Sequence, residues 1–376
     1  MRNWQGKRVT NRFLSSMFYF RLMRTIDWDD DKGCITIIDQ TALPSKLVVL
    51  NIYHINALLD AIKRLRVRGA PALGAAGGFG VALLARTIKA DNSNDFTKKL
   101  RAGADALKNA RPTAVNLSWG AGRVLEKALA GNSRAEVETL ALEEAKAIAD
   151  EDVAQCKAIG EQGAALLKDG DTVLTLCNAG RLACVDWGTA LGVIRSAVAE
   201  GKKINVIACE TRPLNQGSRI TCRELMEDSI PVTLIADNMA GHMMRAGKID
   251  KVIVGADRIV RDAVFNKIGT YSLSVLAKAH GIPFYVAAPL STFDLEKKEK
   301  DVVVEERGGD ELRYWNGAPI APEGVPVYNP AFDATPLENV TAIVTEQGIL
   351  RPPYAFGRMG KKFKPRTYVL DKTKGV

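Results

Sequence analysis

Five short apolar runs, TVLTLC at 172–177, INVIAC at 204–209, PVTLIA at 231–236, KVIVGA at 251–256 and PFYVAA at 283–288, alternate with helix-type segments. Runs this short, rich in Val and Ile and apolar at consecutive positions, suit strands buried on both faces. Separated by helical crossovers, such strands form a parallel sheet, so the pattern predicts a doubly wound α/β domain. Upstream the pattern differs. TIDW, CITIID and LVVL, between Met23 and Leu50, are split by turn residues and predict a small antiparallel sheet. Helical periodicity then runs from about Asn56 to Lys168, interrupted by a turn at Arg111-Pro112. The expected organisation is an extension over 1–22, a small β-sheet and helical domain over 23–150, an α/β domain over 151–356 and a tail over 357–376.

Charge marks the two ends. The 376 residues carry a net charge of +9, yet residues 1–24 hold six basic side chains and no acidic one. Residues 357–376 hold seven basic side chains against Asp371, which leaves residues 25–356 at −3. A nucleic-acid groove would put positive charge on the folded body, so this distribution argues against one. FLSSMFYF at 13–20 lacks a small-residue cleavage site, and MRTIDWDD from Met23 reads as a natural start, so residues 1–22 are expected to be an extension. No uncharged apolar run approaches the roughly 18 residues of a membrane span. The six cysteines show no CxxC pairing and the three histidines are scattered, which leaves no zinc spacing and suits a reducing cytoplasm.

In an open parallel sheet the ligand crevice lies beyond the carboxyl ends of the strands. There the sequence places Cys177-Asn178-Ala179-Gly180, Glu210-Thr211-Arg212-Pro213 with Gln216-Gly217, Asp237-Asn238, and Asp257-Arg258 with Asn266-Lys267. Cys177 is expected where strand hands over to helix, and a helix N-terminus lowers a thiol pKa. An inert buried cysteine is the alternative. Asp257 suits a general acid, or a helix cap. Arg68-Gly69-Ala70-Pro71, followed by ALGAAGGFG, is a small-residue turn that lets N–H groups approach an anion; close helix packing explains it equally well. Neither GK[ST] nor a strand-borne GxGxxG is present, so a nucleotide site is unsupported. Arg111 offers a further cation or an ordinary surface loop. Asn266-Lys267 is expected to open a helix and fix hydroxyls or a carboxylate. His54, His242 and His280 are expected to be structural or solvated, and Trp119 and Trp187 to pack, with a pocket wall as the alternative for either.

Taken together and in order, RGAPALG, RPTAVNL, LCNAGRLA with GTALGVIR, ETRPLNQGSRIT, GADRI, NKIGTYSL and IPFYVAAP resemble the S-methyl-5-thioribose-1-phosphate isomerase family. That family is related to the regulatory subunits of translation initiation factor 2B and to ribose-1,5-bisphosphate isomerase. The resemblance covers about Met23 to Tyr354. It implies a small β plus helical N-terminal domain, a Rossmann-like catalytic domain, a homodimer, and an aldose–ketose isomerase of methionine salvage acting on 5-methylthioribose 1-phosphate or 5-deoxyribose 1-phosphate. It further implies Cys177 and Asp257 as the catalytic pair, with Arg68, Gly69, Ala70, Arg111, Gln216, Asn266 and Lys267 contacting substrate. Gln216 comes from the resemblance alone. Aldose and ketose are isomers, so neither cofactor nor metal is expected, and the partners are a small sugar phosphate and a second subunit, not nucleic acid or membrane. The chain departs from the family pattern at Leu176, where His is usual, at Cys184, where Thr is common, and in a shorter turn after GADR. Ribose-1,5-bisphosphate isomerase and a non-enzymatic initiation factor 2B-like subunit are the alternatives. The first needs an extra cation beyond C5 of the sugar, where only Arg212, Arg219 and Arg258 remain in the matched motifs and all three are expected to be structural.

Overall fold

The computed structural model describes residues 23–111, 114–315, 317–354 and 356. The expected extension over 1–22 and tail over 357–376 lie outside the described residues, as do Pro112 and Thr113 of the interhelix turn. The chain opens with β1 (Ile26–Asp29), β2 (Cys34–Ile38) and β3 (Val49–Ile52), an antiparallel sheet. The third strand begins two residues later than LVVL, although the Asp39 N–H still donates to the Val48 carbonyl at its start.

Helices α1 (Ile55–Lys63), α2 (Ala70–Thr87), α3 (Ser93–Lys108), α4 (Val115–Ala128) and α5 (Arg134–Ala164) follow. Asn92 and Ser133 cap α3 and α5 by accepting the N–H groups of Asp95 and Glu136. Helix α2 is buried without interruption from Ala72 to Ala85. It is apolar all round because other elements surround it. Its small residues let α4 come close. A Cβ on Gly120 would lie 2.0 Å from the Gly74 carbonyl oxygen, and one on Gly77 would lie 2.3 Å from that of Leu117.

The central sheet has seven strands. β4 (Thr172–Thr175), β5 (Asn205–Cys209), β6 (Val232–Ile235), β7 (Lys251–Val254) and β10 (Phe284–Ala287) are the five expected runs. The sequence pattern missed β14 (Ala342–Thr345) and the antiparallel edge strand β15 (Gly348–Leu350). It also missed the antiparallel sheet of β8 (Arg258–Ile259), β9 (Ala263–Lys267) and β13 (Phe332–Pro336), and the short pair β11 (Tyr314–Trp315) and β12 (Ala318–Pro319). Both faces of the central sheet are covered. Leu174, Val252 and Phe284 pack under α8 (Ala240–Arg245) and α9 (Thr270–Ala279). Val173, Ile253 and Ala342 pack under α5 and α6 (Ala190–Ala199), with α7 (Cys222–Glu227) beside them.

Strand order is β15-β14-β10-β7-β4-β5-β6. From β4 the chain winds outward through β5 and β6, then returns to lay β7 against the other side of β4. The order reverses between β4 and β7, and a crevice opens beyond their carboxyl ends. Cys177 follows β4 and Asp257 follows β7.

The close packing of α2 and α4 gives a first test. Gly120→Ala drives a methyl into backbone and should destabilise by about 1–3 kcal/mol or more in urea unfolding. Gly122→Ala, whose Cβ meets nothing nearer than Lys108 Cε at 3.9 Å, should be neutral or gain up to about 1 kcal/mol from helix propensity. Equal stability of the two variants would refute the close approach.

Candidate active site

Cys177, Asp257, Arg68, Gly69, Ala70, Arg111, Gln216, Asn266 and Lys267 all line one cavity at the β4/β7 crevice. The space it encloses, open solvent at the mouth included, is about 790 Å³.

Cys177 is held by its backbone. Its φ is +64°, a conformation that costs a β-carbon residue about 1 kcal/mol or more and points to a constraint from outside. Its N–H donates to Thr211 Oγ1 at 2.8 Å, and its carbonyl accepts from Thr221 Oγ1 at 2.6 Å. Thr211 is itself left-handed, at +68°, with its N–H bound to Asp237 Oδ1 at 2.7 Å. The ends of β4, β5 and β6 are thus tied together under the thiol.

Arg68 is fixed from the same loop. It donates to the Asn178 carbonyl at 2.9 Å and to Asn178 Oδ1 at 2.6 Å. The Asn178 amide donates in turn to Glu224 Oε1 at 2.9 Å. Glu224, fully buried on α7, also accepts the N–H groups of Arg181 and Leu182 and the Arg195 guanidinium. Gly180 permits this, since a Cβ there would sit 2.3 Å from Glu224 Oε2. Gly69, at φ +99°, would carry a Cβ only 2.3 Å from the Ala183 carbonyl oxygen. It therefore serves the turn, while Gly74, Gly77 and Gly78 behind it serve helix packing.

Three expectations need correction. Cys177 does not enter a helix: a 3-10 turn at Arg181–Ala183 intervenes, and α6 begins only at Ala190. Its thiol is accordingly not activated by a helix end. Burial pushes it up, and the charges of Lys267 and Arg68 recover only part of the shift. Asn266 and Lys267 do not open a helix but end β9, where they pair with Asp333 and Phe332 of β13. A helical pattern was expected because α9 starts three residues later, behind Gly269. Trp119 does not pack inside: it is 42% exposed, beneath the Arg123 guanidinium.

Burial also raises Asp257, against the charges of Lys267, Arg111 and Arg68. Lys267 is buried with its ammonium 5.0 Å from the centre of the Phe332 ring. Arg111 pairs with Glu305 at 3.0 Å, and Glu305 also binds Arg307. Arg307, Leu214 and Phe332 line the cavity and were not found from sequence. Arg307 stands in EERGGD, which has no strand or helix periodicity to place it. Of the remaining basic residues, Arg219 donates to the carbonyls of Leu43, Leu214 and Gln40, and Arg212 to that of Pro213. Arg258 pairs with Asp294 at 3.8 Å and borders an annex. That annex shares Gly69, Ala70, Arg111, Asp257 and Phe332 with the main cavity. Its other walls are mostly apolar: Leu73, Ala114, Val115, Phe265 and Val302 to Val304.

Comparison with known proteins agrees with this architecture. The model of the initiation factor 2 subunit family matches residues 66–352. A relative from Archaeoglobus fulgidus named putative methylthioribose-1-phosphate isomerase is 61% identical over 332 residues, covering 88% of this chain and 97% of the relative. Among solved structures, the 5-methylthioribose 1-phosphate isomerase from Pyrococcus horikoshii superposes with a TM-score of 0.83 at 43% identity, covering 91% of this chain and 96% of that one. A structure from A. fulgidus described as translation initiation factor eIF-2B, subunit delta, superposes at 0.82 with 60% identity, covering 91% and 100%.

The electrostatics predict how Cys177 titrates. Its alkylation by iodoacetamide, followed by peptide mass spectrometry, should have a pH midpoint above the ordinary thiol value of about 8.5. Lys267→Met removes the largest stabiliser of the thiolate, so the midpoint should move higher still. A midpoint below the ordinary value, or a downward move in K267M, would contradict this account.

Proposed function

The chain belongs to the initiation factor 2 subunit family, and on that premise we propose that it is an aldose–ketose isomerase converting 5-methylthioribose 1-phosphate to 5-methylthioribulose 1-phosphate in methionine salvage. 5-Deoxyribose 1-phosphate, which also lacks a charge at C5, is a second substrate. The observation that carries this is the meeting of a thiol and a half-buried carboxyl, from adjacent central strands, in one cavity with Arg68, Arg111 and Lys267.

The phosphate on C1 blocks simple ring opening, so the ring oxygen must be protonated. A carboxyl raised by burial is better suited to donate there than an ordinary one, which is the role of Asp257. Hydrogen must then pass from C2 to C1. Cys177 lies at the cavity wall either to take the C2 proton through an enediol-type intermediate or to flank a direct hydride shift. Because its thiol is raised, abstraction by Cys177 depends on the Lys267 and Arg68 charges. Arg68 and Arg111, with the N–H groups at the start of α2, hold the phosphate dianion. Gln216, Asn266 and Lys267 hold the sugar hydroxyls.

A second activity, on ribose 1,5-bisphosphate, would need a free cation at the far end of the sugar. The apolar annex supports a methylthio group there instead, and Arg258 and Arg307 are already paired with carboxylates. Retention of both Cys177 and Asp257 counts against a purely regulatory subunit. The cytoplasmic assignment is supported by six cysteines that are all free thiols. Among the described residues no helix is long and apolar enough to cross a membrane. Assembly as a homodimer is supported by exposed apolar side chains around the edge strand β6, with Met226, Leu234 and Met239 each at least half exposed.

Turnover assays decide the matter. Cys177→Ser and Asp257→Asn should each cut turnover by roughly 10²–10⁴-fold with little change in folding. Near-normal turnover in either variant would remove that residue from the chemistry. The kcat/KM for 5-methylthioribose 1-phosphate should exceed that for ribose 1,5-bisphosphate at least about tenfold, or about 1.4 kcal/mol. Equal or reversed preference would favour the bisphosphate activity. Light scattering at micromolar concentration should give twice the chain mass, with or without residues 1–22, and a fully active monomer would exclude the dimer.

A further inference from the structure

Cys156 on α5 and Cys184 on the loop between β4 and α6 form a buried cluster with Asp152. Their sulfur atoms and a carboxylate oxygen all lie within 4.8 Å of one another. The isomerase chemistry uses none of the three. Cys156 Sγ lies 4.0 Å from Asp152 Oδ1, and the other carboxylate oxygen accepts the Val185 N–H at 2.6 Å. Both cysteines are buried, but Cys184 also stands in the wall of the main cavity, with Cys156 behind it.

We propose that Cys156 and Cys184 are a redox modification site, joined as a disulfide when hydrogen peroxide enters the cavity. The sulfur of Cys184 attacks one peroxide oxygen and the O–O bond breaks. The departing oxygen leaves as water with the thiol proton, and Cys184 becomes a sulfenic acid. The sulfur of Cys156 then attacks that of Cys184 and the S–O bond breaks. The Cys156 proton passes through Asp152 to the departing hydroxide, which leaves as a second water. The protein loses two electrons and two protons, and the peroxide is reduced to two waters.

Asp152 is suited to the transfer because burial lifts its carboxyl to about 7, where it exchanges protons near neutrality. Contact with Cys184 and burial both push the Cys156 thiol up, while Cys184 is lowered by the same contact but raised overall by burial and the nearby carboxylates, so the pair responds to peroxide in excess and not to traces. The consequence reaches the active site through the neighbouring residue. The Ala183 carbonyl fits against Gly69 with no room for a β-carbon between them. Drawing Cys184 toward α5 moves Ala183, and with it the cavity wall at the start of α2.

The test treats the full chain with millimolar hydrogen peroxide, blocks remaining thiols with N-ethylmaleimide and maps peptides by mass spectrometry. A cross-linked peptide joining Cys156 to Cys184 is expected, with the chain lighter by about 2 Da and the bond reversed by dithiothreitol. It should form equally in Cys177→Ser, which separates it from oxidation of the catalytic thiol. In Cys156→Ala and in Cys184→Ser the cross-link should vanish. Turnover in the native chain should fall by on the order of tenfold or more on cross-linking, beyond any loss in Cys156→Ala. Because the cross-link is read by mass, it stands or falls separately from the identity of the substrate. Oxidation of Cys177 without any 156–184 cross-link would overturn the proposal. So would tight binding of one zinc ion that protects both thiols, which would make the cluster a metal site.

Discussion

One buried carboxylate organises the catalytic wall. Glu224 is inaccessible to solvent, yet burial does not leave it protonated: the charges of Arg195 and Arg181 outweigh the desolvation and hold it below its usual range. It gathers two backbone N–H groups, one amide and one guanidinium. Every one of those donors belongs to the segment after β4 or to α6. That segment carries Cys177, shapes Ala183 against Gly69, and holds Arg68 through Asn178. Removing one partner of such a buried pair typically costs 3–5 kcal/mol. Here the geometry of the site would go with it, because the loop has no helix or strand of its own to define it. The 3-10 turn at Arg181–Ala183 is short, and its first two N–H groups are spent on Glu224.

The charges that face the cavity are arranged differently from those that build its wall. Arg195 and Glu224 satisfy each other within the scaffold, and Arg195 also reaches Asp228. In the cavity itself Lys267 is buried beside an aromatic ring, and Arg68 Nε has no hydrogen-bond acceptor among the described residues. Buried cations of this kind attract anions and lower the cost of deprotonating Cys177 and Asp257. Glu305 moderates that field from one side by holding both Arg111 and Arg307. A dianion in the proposed reaction competes with Glu305 for Arg111, whereas the hydrogen bonds of Arg68 go to Asn178. On that proposal Arg68 is the stronger anchor, and Arg111 the adjustable one.

Much of this was legible in the sequence where the signal is local. Five apolar runs placed five strands, and the rule that ligands lie beyond strand ends led to Cys177 and Asp257. The same rule could not rank Gln216 above Glu210, because both follow β5 and only a three-dimensional loop path distinguishes them. The resemblance supplied that residue. Asn266 and Lys267 were found but set on the wrong element. Their strand is defined by pairing with Phe332 and Asp333, some sixty-five residues later in the chain, and no local pattern reports a partner so distant. Arg307 and Phe332 were missed for the same reason. They reach the cavity through loops and a short antiparallel sheet, whose positions depend on tertiary contacts and not on periodicity.

The wall and the chemistry are separable, and this bears on why relatives with one architecture carry names of different activities. Thr211 and Thr221 grip Cys177 through its N–H and its carbonyl, groups that any residue would offer. At φ +64° glycine or asparagine would be the less strained choice, so the local conformation argues against cysteine. Its sulfur is not what closes the turn. Nor does the fold require a carboxyl at 257, where the structural hydrogen bond is from the backbone N–H to Phe265. Burial raises both side chains, which is a cost to charged forms that a scaffold would avoid by using apolar residues. A thiol and a carboxyl at these two positions, against local backbone preference and in one cavity with Arg68, Arg111 and Lys267, are the groups that the proposed proton transfer uses.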